Sequence, residues 1–352
     1  MSGTLYSLVR SALFCLPAEA SHGFALTALN LTHKLGLSGL LAADVSRLAQ
    51  PKKVLGIEFP HLLGLAAGLD KNADHIDALQ ALGFGFLELG TLTPRPQPGN
   101  PKPRLFRIKS EQALINRMGF NNKGIEHACR QIGRRRSRGI LGINLGKNFD
   151  TPVEQASNDY LIGLRRCYDL ADYVTINISS PNTPGLRRLQ FGDELNLLLD
   201  KLKTEQAALT QSSGRYVPLL IKMAPDLSTP EIKACCAGLL RHGIDGVIAT
   251  NTTLDRSRIT SSQYASEAGG LSGAPLTESA TAVIAQIKSH VGDRLPIIGV
   301  GGIMSAEDAI AKLNAGADLL QIYSGFIFNG PALITDILRA LLTIDSTARP
   351  RD

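Results

Sequence analysis

Eight short apolar runs, each rich in branched side chains and each closing on small or polar residues, recur between residues 62 and 323. They span 62–65, 86–89, 140–145, 173–178, 219–223, 246–249, 296–300 and 319–323. Near-continuous apolar runs of this length read as strands buried on both faces. Between most of them, apolar residues recur at helical spacing, over 73–82, 154–171, 193–209, 230–242, 279–290 and 306–315. Alternating strands and helices require a parallel sheet, since a parallel neighbour is reached only through a crossover. A count of eight favours the α/β fold of a closed (β/α)8 TIM barrel over an open doubly wound sheet.

In such a barrel the chemistry belongs to the loops that follow the strands. Here those loops cover 66–72, 90–94, 144–147, 177–182, 222–226, 250–252, 299–303 and 323–325, and they are dense in polar groups. The last two contain Gly301, Gly302 and Gly325. Backbone N–H groups there would cradle a phosphate, or the glycines would serve only tight connections. The G-V-G-G run at 299–302 follows the seventh strand and is not G-x-G-x-x-G, which disfavours a Rossmann nicotinamide site. Asparagines 116, 121, 144, 177, 182 and 251 lie in or near these loops. Each offers both donors and an acceptor, a set suited to a planar ligand with ring carbonyl and N–H groups, such as a pyrimidine. Lys71 and Lys222 would supply cations, one for a ligand carboxylate and one for a cofactor that becomes anionic on reduction.

Composition removes other classes. Aromatic residues make up 5% of the 352-residue chain and Trp is absent, so a stacking platform for nucleic acid has little material. The net charge of +6 suits anionic small molecules, a lipid surface or nucleic acid alike. Five cysteines without C-x-x-C, and histidines without ligand spacing, indicate no metal site and a reducing compartment. Arg134, Arg135, Arg136 and Arg138 precede the third strand and read as solvated surface opposite the active loops. The proline-rich stretch from Pro94 to Pro103 is expected to brace the segment 116–122 over the site.

Residues 1–45 differ in character from the barrel region, 46–345. Leu5, Leu8, Val9, Ala12, Leu13 and Leu16 share one helical face that Pro17 interrupts, and a second apolar helix runs to about Lys34. Two helices cannot bury each other fully, so the main domain, a partner or lipid must cover them. The longest uncharged stretch, 319–335, is broken by polar residues, glycine and proline and fails as a membrane span.

L-A-A-G-L-D-K-N at 65–72, N-R-M-G-F-N-N at 116–122, I-N-I-S-S-P-N-T-P-G-L-R at 176–187 and K-M-A-P-D at 222–226, taken together, resemble the dihydroorotate dehydrogenase family. T-N-T at 250–252, G-G-L-S-G at 269–273, G-V-G-G-I at 299–303 and Y-S-G at 323–325 extend the resemblance over nearly the whole chain. The helical extension, and Ser180 where the soluble class 1 enzymes carry Cys, resemble the quinone-dependent class 2 enzymes. The resemblance implies FMN-dependent oxidation of (S)-dihydroorotate to orotate in pyrimidine biosynthesis, with a quinone as electron acceptor.

It also implies roles for particular residues. FMN would contact Ala67, Gly68, Leu69, Asp70, Lys71 and Thr91, then Asn144, Asn177, Lys222 and Thr250, and finally Gly273, Gly302, Tyr323 and Ser324. Dihydroorotate would contact Lys71, the run Asn116, Arg117, Met118, Gly119 and Phe120, and then Asn177, Asn182, Asn251 and Thr252. Ser180 would be the catalytic base, with no metal. The expected setting is a monomer held peripherally on the cytoplasmic side of the cell inner membrane by its N-terminal helices, with no nucleic-acid partner.

Overall fold

The computed structural model describes residues 3–348; residues 1 and 2 of the predicted extension lie outside them. Eight parallel strands close into a barrel: Leu63–Leu65, Phe86–Leu92, Ile140–Leu145, Tyr173–Asn177, Leu219–Met223, Gly246–Ala249, Ile297–Val300 and Leu319–Ile322. Every predicted run supplies one strand. Nearly all their residues are buried, because helices cover the outer face and side chains fill the inside. The hairpin Lys52–Val54/Ile57–Phe59 plugs the amino-terminal end, where Phe59 meets the Phe86 ring at 5.0 Å.

The outer helices depart from the sequence reading in two places. The predicted helix 73–82 shortens to Ile76–Gln80. The Asp70 carboxylate accepts backbone N–H groups of Asn72, Asp74 and His75 and so holds the preceding stretch as a turn. A helix the periodicity reading missed, Ile125–Arg134, lies before the third barrel strand. Its buried stripe is only Ile125, Ala128 and Ile132 in an otherwise charged run, too thin a pattern to stand out. Arg134, Arg135 and Arg136 follow at the amino-terminal end of the barrel, in a shallow cleft beside His33 and Lys34.

A three-stranded antiparallel sheet, Leu105–Ile108, Ala113–Asn116 and Gly270–Gly273, was not foreseen either. Its strands come from loops 154 residues apart, as in the pairing of Asn116 with Gly270. It stands at the carboxyl-terminal mouth of the barrel as one wall of the cavity there. The proline-rich stretch does brace the segment beside it: Gln97 and Asn122 exchange backbone hydrogen bonds at 2.9 and 3.1 Å. Asn100 N–H also donates to the Met118 carbonyl.

Helices α1 (Gly3–Leu13) and α2 (Ala18–Lys34) form the extension, separated at Pro17. On α1, Tyr6 Oη donates to the Ile327 carbonyl at 2.7 Å and Arg10 to that of Phe328 at 2.7 Å. From α2, Glu19 pairs with the buried Arg104 at 2.7 Å, and Leu26 enters the main core. The outward faces stay bare, with Leu8, Val9, Leu16, Phe24, Leu31, Leu35, Leu37 and Leu40 exposed. Among the described residues, no helix is long and apolar enough to cross a membrane.

Candidate active site

The strand ends at the carboxyl-terminal mouth surround a cavity. The last two strands deliver Gly301 and Gly302, at φ 114° and 73°, and then Ser324 and Gly325. That is the position in which barrels of this class hold phosphate. A side chain at Gly302 would collide with Thr277, whose hydroxyl donates to the Gly302 carbonyl at 2.6 Å.

A chain of amides and hydroxyls runs across the cavity floor. Thr91 Oγ1 donates to Asn144 Oδ1 at 2.6 Å, and Asn177 Nδ2 contacts Thr91 Oγ1 at 3.1 Å and Asn144 Oδ1 at 3.3 Å. Asn251 Nδ2 then donates to Asn177 Oδ1 at 3.3 Å and to Ser179 Oγ at 2.9 Å. Asn182 Nδ2 bonds Asn116 Oδ1 at 3.3 Å, joining the fourth-strand loop to the small sheet. Each amide is oriented by its neighbours, so its remaining polar atom has one direction to offer a ligand.

Ser180 lies in the fourth-strand loop, 5% exposed, with its hydroxyl accepting the Asn182 N–H at 3.2 Å. Arg187, which the sequence reading left without a role, clamps that loop. It donates to the Ser179 carbonyl at 3.0 Å and the Thr252 carbonyl at 3.1 Å, and pairs with Asp226 at 2.7 Å. Its signal was its place at the end of the quoted 176–187 motif.

The two lysines differ in their surroundings. Lys71 Nζ donates to the Gly68 carbonyl at 2.5 Å. Burial lowers its pKa to about 8, against the attraction of Glu19 and Asp70. Lys222 is 6% exposed; burial depresses its pKa too, and Glu88 at 4.0 Å opposes the shift. On α2, burial and then the charges of Lys71 and His75 hold His22 neutral, its pKa driven to about 3.

Most predicted site residues line this one cavity: Ala67, Gly68, Lys71, Thr91, Asn177, Ser180, Lys222 and Thr250 at its floor and first strands, with Asn116, Met118, Gly119, Phe120, Asn182, Asn251 and Thr252 around its rim. Gly273, Gly302, Tyr323 and Ser324 complete the far side. Four do not line it. Asn144 sits just behind the wall, fully buried and bonded to Thr91. Leu69 packs into the core, and Asp70 spends its carboxylate on backbone N–H groups. Arg117 turns outward to Glu267, its guanidinium over the Phe106 ring at 4.6 Å. Motif matching names neighbours in sequence, whereas alternate residues of an extended loop point to opposite sides.

A closed (β/α)8 barrel with a polar, cation-bearing cavity at the carboxyl ends of its strands defines a TIM-barrel enzyme. The family model described as dihydroorotate dehydrogenase matches residues 50–344. A relative from Cellvibrio japonicus named dihydroorotate dehydrogenase (quinone) is 57% identical over 94% of this chain and 96% of its own. One of the same name from Marinobacter nauticus is 55% identical over 96% of this chain and 98% of its own. The crystal structure of Eimeria tenella DHODH in complex with ferulenol shares 35% identity and a TM-score of 0.83, covering 92% of each chain. The chain belongs to the dihydroorotate dehydrogenase family and is an oxidoreductase.

Proposed function

We propose that this chain oxidises (S)-dihydroorotate to orotate at the barrel mouth with FMN as its redox group, then passes the electrons to a quinone that approaches along α1 and α2. The observation that carries the reading is the convergence of Ser180, Lys71, Lys222 and four asparagines on one cavity.

The residues fit FMN. Lys222 presents a buried ammonium whose nearest charged partner, Glu88, is 4.0 Å away, so it has donors to spare for an electron-rich ring edge. Gln321 Oε1 lies buried on the same floor without a hydrogen-bond partner among the described residues, an acceptor suited to a ring N–H. The glycine cradle after the seventh strand leaves backbone N–H groups for the phosphate. When bound, FMN supplies the hydride acceptor.

The remaining tasks fall to the chain. Lys71 pairs with the substrate carboxylate. Asn116, Asn182 and Asn251 hydrogen-bond the pyrimidine's carbonyl and N–H groups, which orients it and polarises the carbonyl beside C5. Ser180 Oγ takes the C5 proton as hydride leaves C6. Its loop, held by Arg187, excludes bulk water from that hydroxyl. A yellow purified protein bleached anaerobically by dihydroorotate is the expected result, and a colourless one overturns the proposal.

Charge on Lys71 is present below its pKa of about 8 and lost as pH rises through it. kcat/KM for dihydroorotate should therefore fall above about pH 8, since that ratio reports the free enzyme. A profile flat to pH 10 would remove Lys71 from carboxylate binding.

The bare apolar faces of the extension support the quinone and membrane part of the reading. Each such side chain entering lipid contributes roughly 1.5–3 kcal/mol before ordering costs, enough for peripheral attachment of a monomer to the cytoplasmic side of the cell inner membrane. Deleting residues 1–45 should abolish quinone turnover and vesicle binding while sparing single-turnover reduction by dihydroorotate. Equal loss of both half-reactions would leave the extension as a mere cap on the barrel.

A further inference from the structure

Under the cavity floor, inside the barrel, lies a carboxylate that none of the site motifs includes. Glu88, on the second strand, is 1% exposed. Burying an ion costs several kcal/mol unless its surroundings compensate. Every hydrogen-bonding neighbour here donates to it. Oε1 accepts from Asn144 Nδ2 at 2.8 Å; Oε2 accepts from Gln321 Nε2 at 2.8 Å, Tyr173 Oη at 3.1 Å and Thr175 Oγ1 at 3.3 Å. Four side chains thus aim donors at the two carboxylate oxygens.

The barrel is shaped around this arrangement. A Cβ at Gly142 would collide with the Tyr173 ring, so glycine at that position lets the hydroxyl reach Glu88. Burial and the Glu88 charge push the Tyr173 pKa well up and keep it a donor. The fifth neighbour, and the charged one, is Lys222, 4.0 Å from Oε1 and facing the cavity.

Among the described residues Glu88 is the charged group acting on Lys222. The adjacent sixth strand, Gly246–Ala249, brings nothing titratable. On the eighth-strand side the Tyr323 hydroxyl is pushed up to about 12 by burial and stays neutral. Lys71 and Ser180 face the same cavity. Burial alone drives Lys222 toward its neutral form, and Glu88 opposes that. Glu88 also decides how Asn144 faces: with Nδ2 taken by the carboxylate, Oδ1 must turn to Thr91 and Asn177.

We propose that Glu88 is a positioning residue for the redox centre, the buried counter-ion that keeps Lys222 charged against the flavin and orients Asn144, and through it Asn177, beneath it. The inference rests on the FMN reading. Oxidation of dihydroorotate releases two electrons and two protons. The electrons and one proton go to the ring as hydride, and the other proton leaves through Ser180. With Lys222 already charged, the reduced ring's negative charge is balanced in place and one proton reaches solvent per flavin reduced. With Lys222 neutral, that negative charge draws a proton onto Nζ, and net release falls to zero.

The test is anaerobic single-turnover reduction by dihydroorotate in weak buffer at mildly alkaline pH, with a pH-indicator dye and the flavin absorbance read together. The wild type, Glu88→Asp and Tyr173→Phe should each release one proton per flavin bleached, and Glu88→Gln none. Flavin-loaded Glu88→Gln releasing one proton overturns the counter-ion role, as does an altered count in Tyr173→Phe, where the charge remains. Should Glu88→Gln fail to load flavin, Glu88→Asp decides, because it keeps the charge and leaves Lys222 in place. Loading by Glu88→Asp but not by Glu88→Gln, which matches the glutamate in shape, supports the counter-ion role, and failure of both makes Glu88 a packing residue only. A wild type without flavin, or one not bleached by dihydroorotate, sinks the FMN reading instead and is seen before any variant is made.

Discussion

Ser180→Ala is expected to slow reduction of the bound flavin by dihydroorotate by roughly 10² to 10⁴, the usual contribution of a positioned general base. Flavin content should be unchanged. The side chain is small, and its one hydrogen bond among the described residues is the Asn182 N–H donating to it at 3.2 Å. The loop that presents it is held from elsewhere, by Arg187 on the Ser179 carbonyl and by Asn251 on Ser179 Oγ. Loss of the hydroxyl therefore removes the proton acceptor without moving the asparagines. A hydroxyl is a weak base, so its effect depends on placement against a polarised substrate. Stopped-flow reduction under single-turnover conditions checks this directly, and an unchanged rate would take the proton from Ser180 and give it to another group.

Gly302→Val should cost the protein its flavin. The residue sits at φ 73°, where a β-branched side chain is strained, and its new Cβ would run into the backbone and hydroxyl of Thr277. Strain of this kind costs on the order of 1–3 kcal/mol, and relieving it requires the loop to leave the phosphate position. Cofactor affinity should fall by about 5- to 150-fold on that basis, with more lost if the Thr277 hydroxyl bond to the Gly302 carbonyl also breaks. Equilibrium dialysis of FMN against apoprotein measures it. Gly292→Val is the control: it too has a positive φ, at 60°, but open space around it and no place in the cavity. A Gly302 variant that binds FMN as tightly as the control does would show that the cradle is not the phosphate site.

Much of this architecture was legible from residue order, and particular residues show why. Tyr173–Asn177 and Leu219–Met223 could be read as adjacent buried strands because a parallel strand covered on both faces leaves an unbroken apolar run. The loop ends could be read because a barrel places its polar residues at one end of each such run. Helix Ile125–Arg134 escaped because its buried stripe is three side chains wide in a charged sequence. The small sheet escaped because Asn116 and Gly270 are neighbours only after the barrel has brought their loops together.

Within the site the division is finer. Lys71 and Lys222 stand out as cations at or near strand ends, and Ser180 through the motif that carries the family resemblance, so the sequence by itself determined the barrel, the polar mouth and those candidates. Glu88, Gln321 and Arg187 are ordinary polar letters in the chain; their roles arise from contacts of 2.7 to 4.0 Å with residues far away in order. Asp70 and Arg117 show the converse, since their motif positions suggested ligand contact and the fold turned one to the backbone and the other to Glu267. Local periodicity is a property of neighbours along the chain, and so it is written there. Which donor meets which buried acceptor is decided only when closure of the barrel excludes water and leaves each polar group to find a protein partner.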